Sequence, residues 1–348
     1  MAYTTINKGS SYFNTVTYTG TGASLAITGV GFKPNLTWIK SRSNTNFHNL
    51  TDSVRGVTKQ IFTNTDIVEQ TSSVYLSSFD TDGFTVSTDT DVNGSARTYV
   101  GWSWLGSGTT AVSNTSGSIT STVSANTTSG FSIVSYTGNG VSGATVGHGL
   151  GVAPKLQMIK KRSGITDWAV VGSFSPFGTL KRIAINGTTG MGNPGDIYPT
   201  LPTSTVFSPG DSGDTNGNGS TYIAYSFAEI KGFSKFGSYT GNGSTDGTFV
   251  YTGFKPAFVI IKQTSSAGEG WEMADDVRST YNVISTFLRA NSSGAESTNT
   301  DRQFDFLSNG IKMRGTHGST NGSGATYIYM CFAENPFVTS GGIPVTAR

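Results

Sequence analysis

The sequence predicts an all-β protein made of three tandem repeats, each a β-sandwich of jelly-roll type. Two features of the composition and one pattern lead to this fold class. Glycine accounts for 46 of the 348 residues and charged residues for only 13 %, a balance that suits short strands and tight turns better than helices. Aromatic residues make up 11 %, whereas disordered chains are depleted in them. The pattern is a set of sequence landmarks that recurs three times.

Two landmarks open each repeat. The first is Tyr-Thr-Gly, at residues 18–20, 136–138 and 239–241. The second is a proline followed six residues later by a lysine that closes an apolar run: Pro34 and Lys40, Pro154 and Lys160, and Pro256 and Lys262. Because proline has no N–H to give to a ladder, each proline is expected at the start of a strand.

The third landmark is Thr-Tyr, at residues 98–99, 221–222 and 326–327, and it begins a strand in which bulky residues alternate with smaller ones. Alternate side chains of a strand point to the same face. The predicted core face consists of Val100, Trp102, Trp104, Ile223, Tyr225, Phe227, Ile328, Met330 and Phe332. The opposite face carries smaller or amphipathic groups, so we expect a half-covered sheet, as in a sandwich.

Among the Asn-Gly pairs of the sequence, five lie between predicted strands where tight turns are expected. They lie at residues 93–94, 139–140, 216–217, 242–243 and 321–322. Asn-Gly is the commonest signal of a tight hairpin turn, in which the backbone needs positive φ. We therefore expect hairpin turns at all five.

These landmarks, and the composition between them, give the domain boundaries. We expect an N-terminal segment at 1–13, repeats at 14–105, 130–230 and 231–337, a linker at 106–129 and a C-terminal tail at 338–348. Residues 106–129 contain no charged and no aromatic side chain, which is typical of a flexible linker. The first copy is thus expected to move relative to the second, whereas the second and third copies adjoin without a spacer and are expected to dock rigidly.

Charge, cysteine content and hydropathy exclude several classes of function. The net charge of +2 offers no broad positive surface to a phosphate backbone, so nucleic acid is not an expected partner. The single cysteine, Cys331, rules out an intrachain disulfide and a cysteine-based metal centre. The apolar runs are too short to span a bilayer and the N-terminus has no signal-peptide features, so neither membrane insertion nor export by a cleaved signal is expected.

Longer motifs accompany the landmarks. In the first copy they are Gly-Phe-Lys-Pro at 31–34, Trp-Ile-Lys at 38–40, Asp-Ser-Val-Arg-Gly at 52–56 and Thr-Tyr-Val-Gly-Trp at 98–102. The third copy repeats Gly-Phe-Lys-Pro at 253–256 and Asp-Val-Arg at 276–278. The second copy lacks the Asp-Ser-Val-Arg segment and has a Pro- and Gly-rich insertion at 191–209, where a copy-specific loop is expected.

These repeated motifs resemble a family of modular virion proteins of marine tailed phages, usually described as tail-fibre or structural proteins. The resemblance covers nearly the whole chain outside residues 106–129. It implies a component of the virion that contacts other virion proteins and forms a homo-oligomer, with a trimer as the expectation for the family. It supplies no known active site.

A complete catalytic or metal-binding motif is missing from the sequence. It has neither a Gly-x-Ser-x-Gly elbow nor a Gly-rich phosphate loop, and His48, His148 and His317 are not spaced as metal ligands. Residues 89–94 match the start of a calcium loop, but Val100 stands where such a loop needs glutamate. We therefore expect no enzymatic activity, cofactor or bound metal, a polar turn at 89–94 and at the similar segment 214–219, and surface or turn positions for the histidines.

The densest acidic cluster consists of Glu269, Glu272, Asp275 and Asp276, and it flanks Trp271. A glycan depolymerase needs two carboxylates across a groove, and a tryptophan can stack on a sugar ring. The corresponding place in the first copy holds Phe47, His48 and Asp52, so the cluster does not recur. Glycan hydrolysis is therefore an alternative hypothesis.

Four residues are candidates for ligand binding: Arg55, Arg278, Trp168 and Trp271. The two arginines occupy equivalent positions, where they either bind a ligand or pair locally with Asp52 and Asp275. The two tryptophans and Phe47 follow the lysines of their repeats by seven to nine residues. They either stack on carbohydrate or share a role in the core.

The main functional hypothesis is a tail fibre or adhesin in the virion that attaches the particle to a glycan or receptor on the bacterial surface, with weak contacts adding up over several copies. Two alternatives remain open. One is a head-decoration protein that stabilises the capsid, and the other is a depolymerase that trims surface polysaccharide.

Overall fold

The computed structural model describes residues 4–173, 180–193 and 195–336, and the regular structure in these ranges is almost entirely β. The predicted all-β fold class is thus confirmed. Helical structure in the described ranges is limited to α1 (Thr90–Asn93) and to 3₁₀ turns at Gly9–Ser11 and Gly195–Ile197. The predicted C-terminal tail, 338–348, lies outside the described residues.

The strands form three successive groups, which we call unit 1, unit 2 and unit 3. Unit 1 consists of β1 (Phe13–Thr19), β2 (Leu25–Ile27), β3 (Leu36–Ser41), β4 (Asn49–Asp52), β5 (Lys59–Phe62), β6 (Gln70–Thr71), β7 (Leu76–Asp80), β8 (Gly83–Val86) and β9 (Thr98–Trp104). Unit 2 consists of β10 (Val112–Asn114), β11 (Ser121–Asn126), β12 (Phe131–Thr137), β13 (Val146–Gly147), β14 (Leu156–Lys161), β15 (Ala169–Ser173), β16 (Leu180–Ile183), β17 (Val206–Phe207) and β18 (Thr221–Phe227). Unit 3 consists of β19 (Ser234–Thr240), β20 (Phe249–Tyr251), β21 (Phe254–Gln263), β22 (Trp271–Asp275), β23 (Thr286–Arg289), β24 (Ser297–Thr298), β25 (Phe304–Leu307), β26 (Gly310–Met313) and β27 (Thr326–Pro336).

Each unit has one large and one small antiparallel sheet. The large sheets have the orders β1-β9-β3-β4-β5-β6, β10-β11-β12-β18-β14-β15-β16 and β19-β27-β21-β22-β23-β24. The small sheets are β2-β8-β7, β13-β17 and β20-β26-β25. The run β1-β9-β3-β4-β5 therefore has counterparts in the same order in units 2 and 3, as β12-β18-β14-β15-β16 and β19-β27-β21-β22-β23, and unit 2 adds β10 and β11 at one edge.

The strand register repeats as well as the strand order. The tyrosine of each Tyr-Thr-Gly landmark stands opposite the tyrosine of the Thr-Tyr landmark in the neighbouring strand, and the two rings stack. The pairs are Tyr18 with Tyr99, Tyr136 with Tyr222, and Tyr239 with Tyr327, and their ring centroids lie 5.2, 5.2 and 4.8 Å apart. Equivalent residues therefore occupy equivalent places in the three large sheets.

All nine predicted core side chains are buried, none more than 4 % exposed. They belong to one hydrophobic cluster that takes residues from all three units. At its centre, Trp104 lies 6.4 Å from Phe227 and 5.8 Å from Phe332, and Phe227 lies 6.0 Å from Phe332. Because these three residues are counterparts, the bulky faces of the large sheets pack on one another around a common centre.

The other face of each large sheet is covered by the small sheet of the same unit, which gives the units their sandwich-like character. In unit 1, Ile39 and Tyr99 of the large sheet share a cluster with Ile27, Phe84 and Val86 of the small one. The expectation of a half-covered sheet is thus wrong. Both faces are buried, because the face left by the sandwich packs against the neighbouring units.

Residues 106–129 are not a free linker, although their composition predicts one. Ser121 to Asn126 pair along their whole length with Phe131 to Tyr136, and Val112 to Asn114 pair in turn with β11. The segment is tied to unit 1 as well, since Asn35 of unit 1 accepts from the Gly106 N–H, while within the segment Asn126 donates to the carbonyl of Gly106. A polar strand at a sheet edge needs few apolar residues, so composition alone does not separate it from a linker.

Two of the five pairs have the expected positive φ, but none of the five joins two strands that pair with each other, so the prediction of hairpin turns is wrong. Gly140 and Gly243 have φ of 68° and 65°, whereas Gly94 has φ of −61°. The asparagines of the other three pairs, Asn93, Asn216 and Asn321, are completely buried. Their side chains accept from the backbone N–H of Thr21, Asn139 and Asn242. At these places asparagine is a buried bridge between loops and not a turn residue.

Candidate functional site

The two tryptophans predicted to bind a ligand lie in the contacts between units. Trp168 is 0 % and Trp271 is 4 % exposed. The Trp168 indole of unit 2 donates to the carbonyl of Phe62 in unit 1, and the Trp271 indole of unit 3 donates to the carbonyl of Ala184 in unit 2, both at 2.9 Å. This burial favours the alternative interpretation, a shared role in the core.

By strand register, His48 in unit 1 is the counterpart of these tryptophans. It is fully buried, its Nδ1 accepts from the Trp38 indole at 2.9 Å, and the ring lies against the carbonyls of Arg289 and Ser292 in unit 3. Burial, together with the charge of Lys40, lowers the pKa of His48 well below its ordinary value. The neutral ring is therefore a packing element, and the predicted surface position is wrong for His48, as it is for the buried His148.

Arg55 lies in a buried ion-pair network between units 1 and 2. Its Nε donates to Asp52 at 2.5 Å and its Nη1 to Glu69 at 3.1 Å, while Glu69 also holds Arg162 of unit 2 through two bonds of 2.8 and 3.0 Å. The Tyr225 hydroxyl of unit 2 donates to Asp52 at 2.8 Å. Burial opposes the charge on Arg55, but Asp52, Tyr225 and Glu69 outweigh it, so the pKa of Arg55 is raised.

Arg278 has the equivalent place between units 3 and 1. Its Nε donates to Asp275 at 2.6 Å and its Nη1 to Glu296 at 3.0 Å. Glu296 also accepts two bonds, of 3.0 and 2.9 Å, from Arg42 of unit 1. The Trp102 indole donates to Asp275 at 3.0 Å. The local pairing of both arginines with Asp52 and Asp275 is thus observed, and the salt-bridged side chains of Arg55 and Arg278 are 0 % exposed.

The third contact, between units 2 and 3, has the same backbone hydrogen bond as the other two contacts but no ion pair at the equivalent positions. The N–H of Met191 donates to the carbonyl of Thr264, as Glu69 does to Arg162 and Glu296 does to Arg42. Gly172 stands at the register position of Asp52 and Asp275. The three contacts therefore close a ring of units, in which two links are ionic and the third is uncharged at these positions.

The acidic cluster predicted from the sequence is dispersed in the structure. Asp275 is committed to Arg278 and Trp102, Glu272 is buried beside Arg289 at 3.0 Å and Arg302 at 3.6 Å, and Glu269 lies 3.9 Å from His317. A pair of carboxylates facing one groove does not arise from Asp275 and Glu272. The alternative hypothesis of hydrolysis through these two residues loses its geometric basis.

The calcium-like segment at 89–94 is built differently from a metal loop. Asp89 caps α1 by accepting from the Asp91 N–H at 2.7 Å. The side-chain amide of Asn93 donates to the backbone carbonyls of Ala23 and Ser87. In the ranges that the structure describes, no group of three or more His, Cys, Asp or Glu side chains could hold a metal ion. The same ranges contain no helix long and apolar enough to cross a membrane.

A cleft of about 460 Å³ opens beside Phe47, the one candidate aromatic that reaches the surface, at 39 % exposure. We call it the Phe47 cleft; its lining consists of Thr45, Asn46, Phe47, Phe62, Ile67, Gln70, Tyr75, Asp91 and Ser293. Phe47 lies 5.2 Å from Phe62, which lies 6.1 Å from Tyr75. Three aromatic rings thus form one wall, and Ser293 shows that unit 3 completes the cleft.

A carboxylate faces this aromatic wall. Asp91 Oδ1 accepts from the Asn46 amide at 2.7 Å and from the Phe47 N–H at 3.3 Å, and no described residue donates to Oδ2. Burial and the charges of Asp89 and Asp91 raise the pKa of Tyr75 to about 12, so its hydroxyl stays protonated and can donate. The cleft therefore combines ring faces with a free acceptor, a donor and two amides. The sequence pointed to Phe47 only, because the other members come from distant strands.

Fold and cleft together define an all-β protein with a shared core and a surface cleft suited to a small polar ligand with an apolar face. Residues 8–336 match the model of a family described as a domain of unknown function, DUF7483, and the chain belongs to this family. Neither a curated protein nor a solved structure matches the chain.

Proposed function

We propose that the chain is a structural component of a tailed-phage virion, a tail fibre or adhesin, and that the Phe47 cleft holds one sugar residue of a bacterial surface glycan. The virion assignment rests on the repeated motifs, which resemble phage particle proteins. The observation that carries the binding function is the cleft, where an exposed aromatic ring lies beside Asp91, whose Oδ2 accepts a hydrogen bond from no described residue.

The chemistry of the cleft matches that of a pyranose. One face of such a ring is lined with C–H groups and packs on an aromatic side chain, while its hydroxyl groups need acceptors and donors around the edge. Phe47 and Tyr75 supply ring faces, and Asp91 and Gln70 supply polar groups. Burying one aromatic side chain against a ligand contributes about 1.5–3 kcal/mol, which is enough for a weak but specific contact.

Valency must come from several chains, not from the three units of one. The residues that correspond to Phe47, immediately before Trp168 and Trp271, are Asp167 and Gly270. Units 2 and 3 therefore lack the ring that defines the cleft. We propose that a particle carries many copies of the chain, and that one weak glycan contact from each copy gives a strong attachment overall.

Binding of the purified chain to immobilised bacterial lipopolysaccharide and capsular polysaccharide tests the adhesin function. We expect Phe47→Ala to weaken binding about tenfold, from the loss of roughly 1.4 kcal/mol. Phe249→Ala is the matched control, since Phe249 is 43 % exposed and lies outside the cleft. Equal binding by both variants contradicts the cleft assignment, and failure of the unaltered chain to bind any glycan contradicts the adhesin function.

A further inference from the structure

A second cleft, of about 450 Å³, lies in unit 3 beside the loop between β22 and β23. Its floor is apolar, formed by Ile284 and Phe306, which are 1 % and 2 % exposed. At its rim stands Tyr281, whose side chain is 84 % exposed and so the most exposed of the large hydrophobic residues that the structure describes. We call this space the Tyr281 cleft.

One carboxylate in the Tyr281 cleft has no cation of its own. Asp276 lines the cleft, and among the described residues no other side chain donates a hydrogen bond to its carboxylate. The nearby ammonium group, on Lys255 of β21, is paired with Glu334 of β27. Asp275, the preceding residue, is likewise paired with Arg278. Glu334 and Asp275, the acidic neighbours of Asp276, thus each form an ion pair with a basic side chain, whereas Asp276 does not among the described residues.

The surroundings of Asp276 favour an added positive charge. Burial, followed by the charges of Glu334 and Asp275, raises the pKa of Asp276 to about 7, and Lys255 only partly offsets this. A group whose ionised form is disfavoured in this way gains from a cation at its side. Ser279 and Thr280 supply hydroxyl groups around the same space.

We propose that the Tyr281 cleft binds a sugar residue bearing a protonated amine, with its ammonium group paired to Asp276 and one face of its ring stacked on Tyr281. The volume of the cleft is in the range of small-molecule sites. A cation within reach of a tyrosine ring is also attracted by its π face. The site is separate from the Phe47 cleft, and the proposal does not depend on the function assigned to that cleft.

Saturation-transfer NMR with glucosamine, N-acetylglucosamine and glucose at pH 7.5 tests this site on the full chain. We expect glucosamine to bind at least fivefold more tightly than the other two sugars. Asp276→Asn should reduce glucosamine to the level of glucose, and Tyr281→Ala should weaken all three. The control variants are Asp211→Asn, at an exposed aspartate, and Tyr251→Ala, at a tyrosine that is 58 % exposed. Both should bind like the unaltered chain.

Three results overturn the proposal: no binding of glucosamine, equal binding of the three sugars, or an amine preference that survives Asp276→Asn. Phe47→Ala separates the two clefts. Unchanged glucosamine binding in that variant assigns the sugar to the Tyr281 cleft, whereas loss of binding places it in the Phe47 cleft and refutes the assignment made here. Urea unfolding of each variant shows that a loss of binding is not a loss of fold.

Discussion

The ion pairs between units should respond strongly to a single neutralisation, and Glu69→Gln is the most informative change. Glu69 holds Arg55 of its own unit and Arg162 of unit 2, and its side chain is only 9 % exposed. Glutamine keeps the shape but loses the charge and turns an NH₂ group towards a guanidinium. Removing one partner from a buried pair costs about 3–5 kcal/mol. Because Asp52 still faces Arg55, we expect a loss at or just below the lower limit of this range, about 2–3 kcal/mol.

Urea unfolding at pH 7 measures this loss as a lower midpoint with an unchanged slope. Glu229→Gln is the control, since Glu229 pairs with Lys235 where the side chains are 28 % and 35 % exposed, and such pairs contribute about 0–1 kcal/mol. Equal losses in the two variants would refute the claim that the interface pairs are buried and structural.

The same substitution has a pH signature. Burial raises the pKa of Glu69, but Arg162 and Arg55 outweigh it, so the folded pKa lies below the ordinary 4.5. The contribution of a group with a depressed folded pKa is present above its unfolded pKa and is lost as pH falls through the folded one. The difference in stability between the unaltered chain and Glu69→Gln should therefore shrink below about pH 4.5. A constant difference down to pH 3 contradicts this origin.

Three further outcomes are expected. Trp104→Ala, at the common centre, should cost about 3–5 kcal/mol and keep a single unfolding transition by circular dichroism, since the units share a core; separate transitions contradict this. Tyr225→Phe should cost about 1–3 kcal/mol in urea, because Asp52 loses a buried donor, and an unchanged midpoint contradicts it. Burial lowers the pKa of Lys40, Lys160 and Lys262 from 10.5 to about 8. The unfolded chain thus binds more protons than the folded one between these values, and the three lysines should raise stability from pH 7.5 to 9.5; a falling urea midpoint contradicts this sign.

The sequence supplied the strands and the identity of the core, because both follow from local periodicity. The alternation after each Thr-Tyr pair predicted nine buried side chains, and all nine are buried. The alternation of bulky and small residues indicates that one face of the strand is buried, but it does not identify the residues that cover this face. The packing of Trp104 on Phe227 and Phe332 therefore could not be read from it, and neither could the burial of Trp168 and Trp271 against other units.

The wrong predictions, of a linker and of hairpin turns, also arise because local sequence does not report tertiary contacts. Polar composition at 106–129 predicted a linker, since β11 is built mostly of Ser, Thr and Ala, lies next to the short edge strand β10 and so carries little apolar signal. Asn-Gly predicted turns at 93–94, where the amide of Asn93 instead bridges two loops. Of the Phe47 cleft, only Phe47 itself could be predicted, because Tyr75 and Asp91 reach it through the tertiary fold.

The proposed function is tested most directly by the position of the chain in the particle. Cryo-EM of the virion should show three large sheets packed around one centre within a tail fibre, with the Phe47 cleft turned to the outside. Density for the chain on the capsomers would contradict the adhesin proposal and support head decoration, and absence of the chain from purified particles would contradict the virion assignment itself.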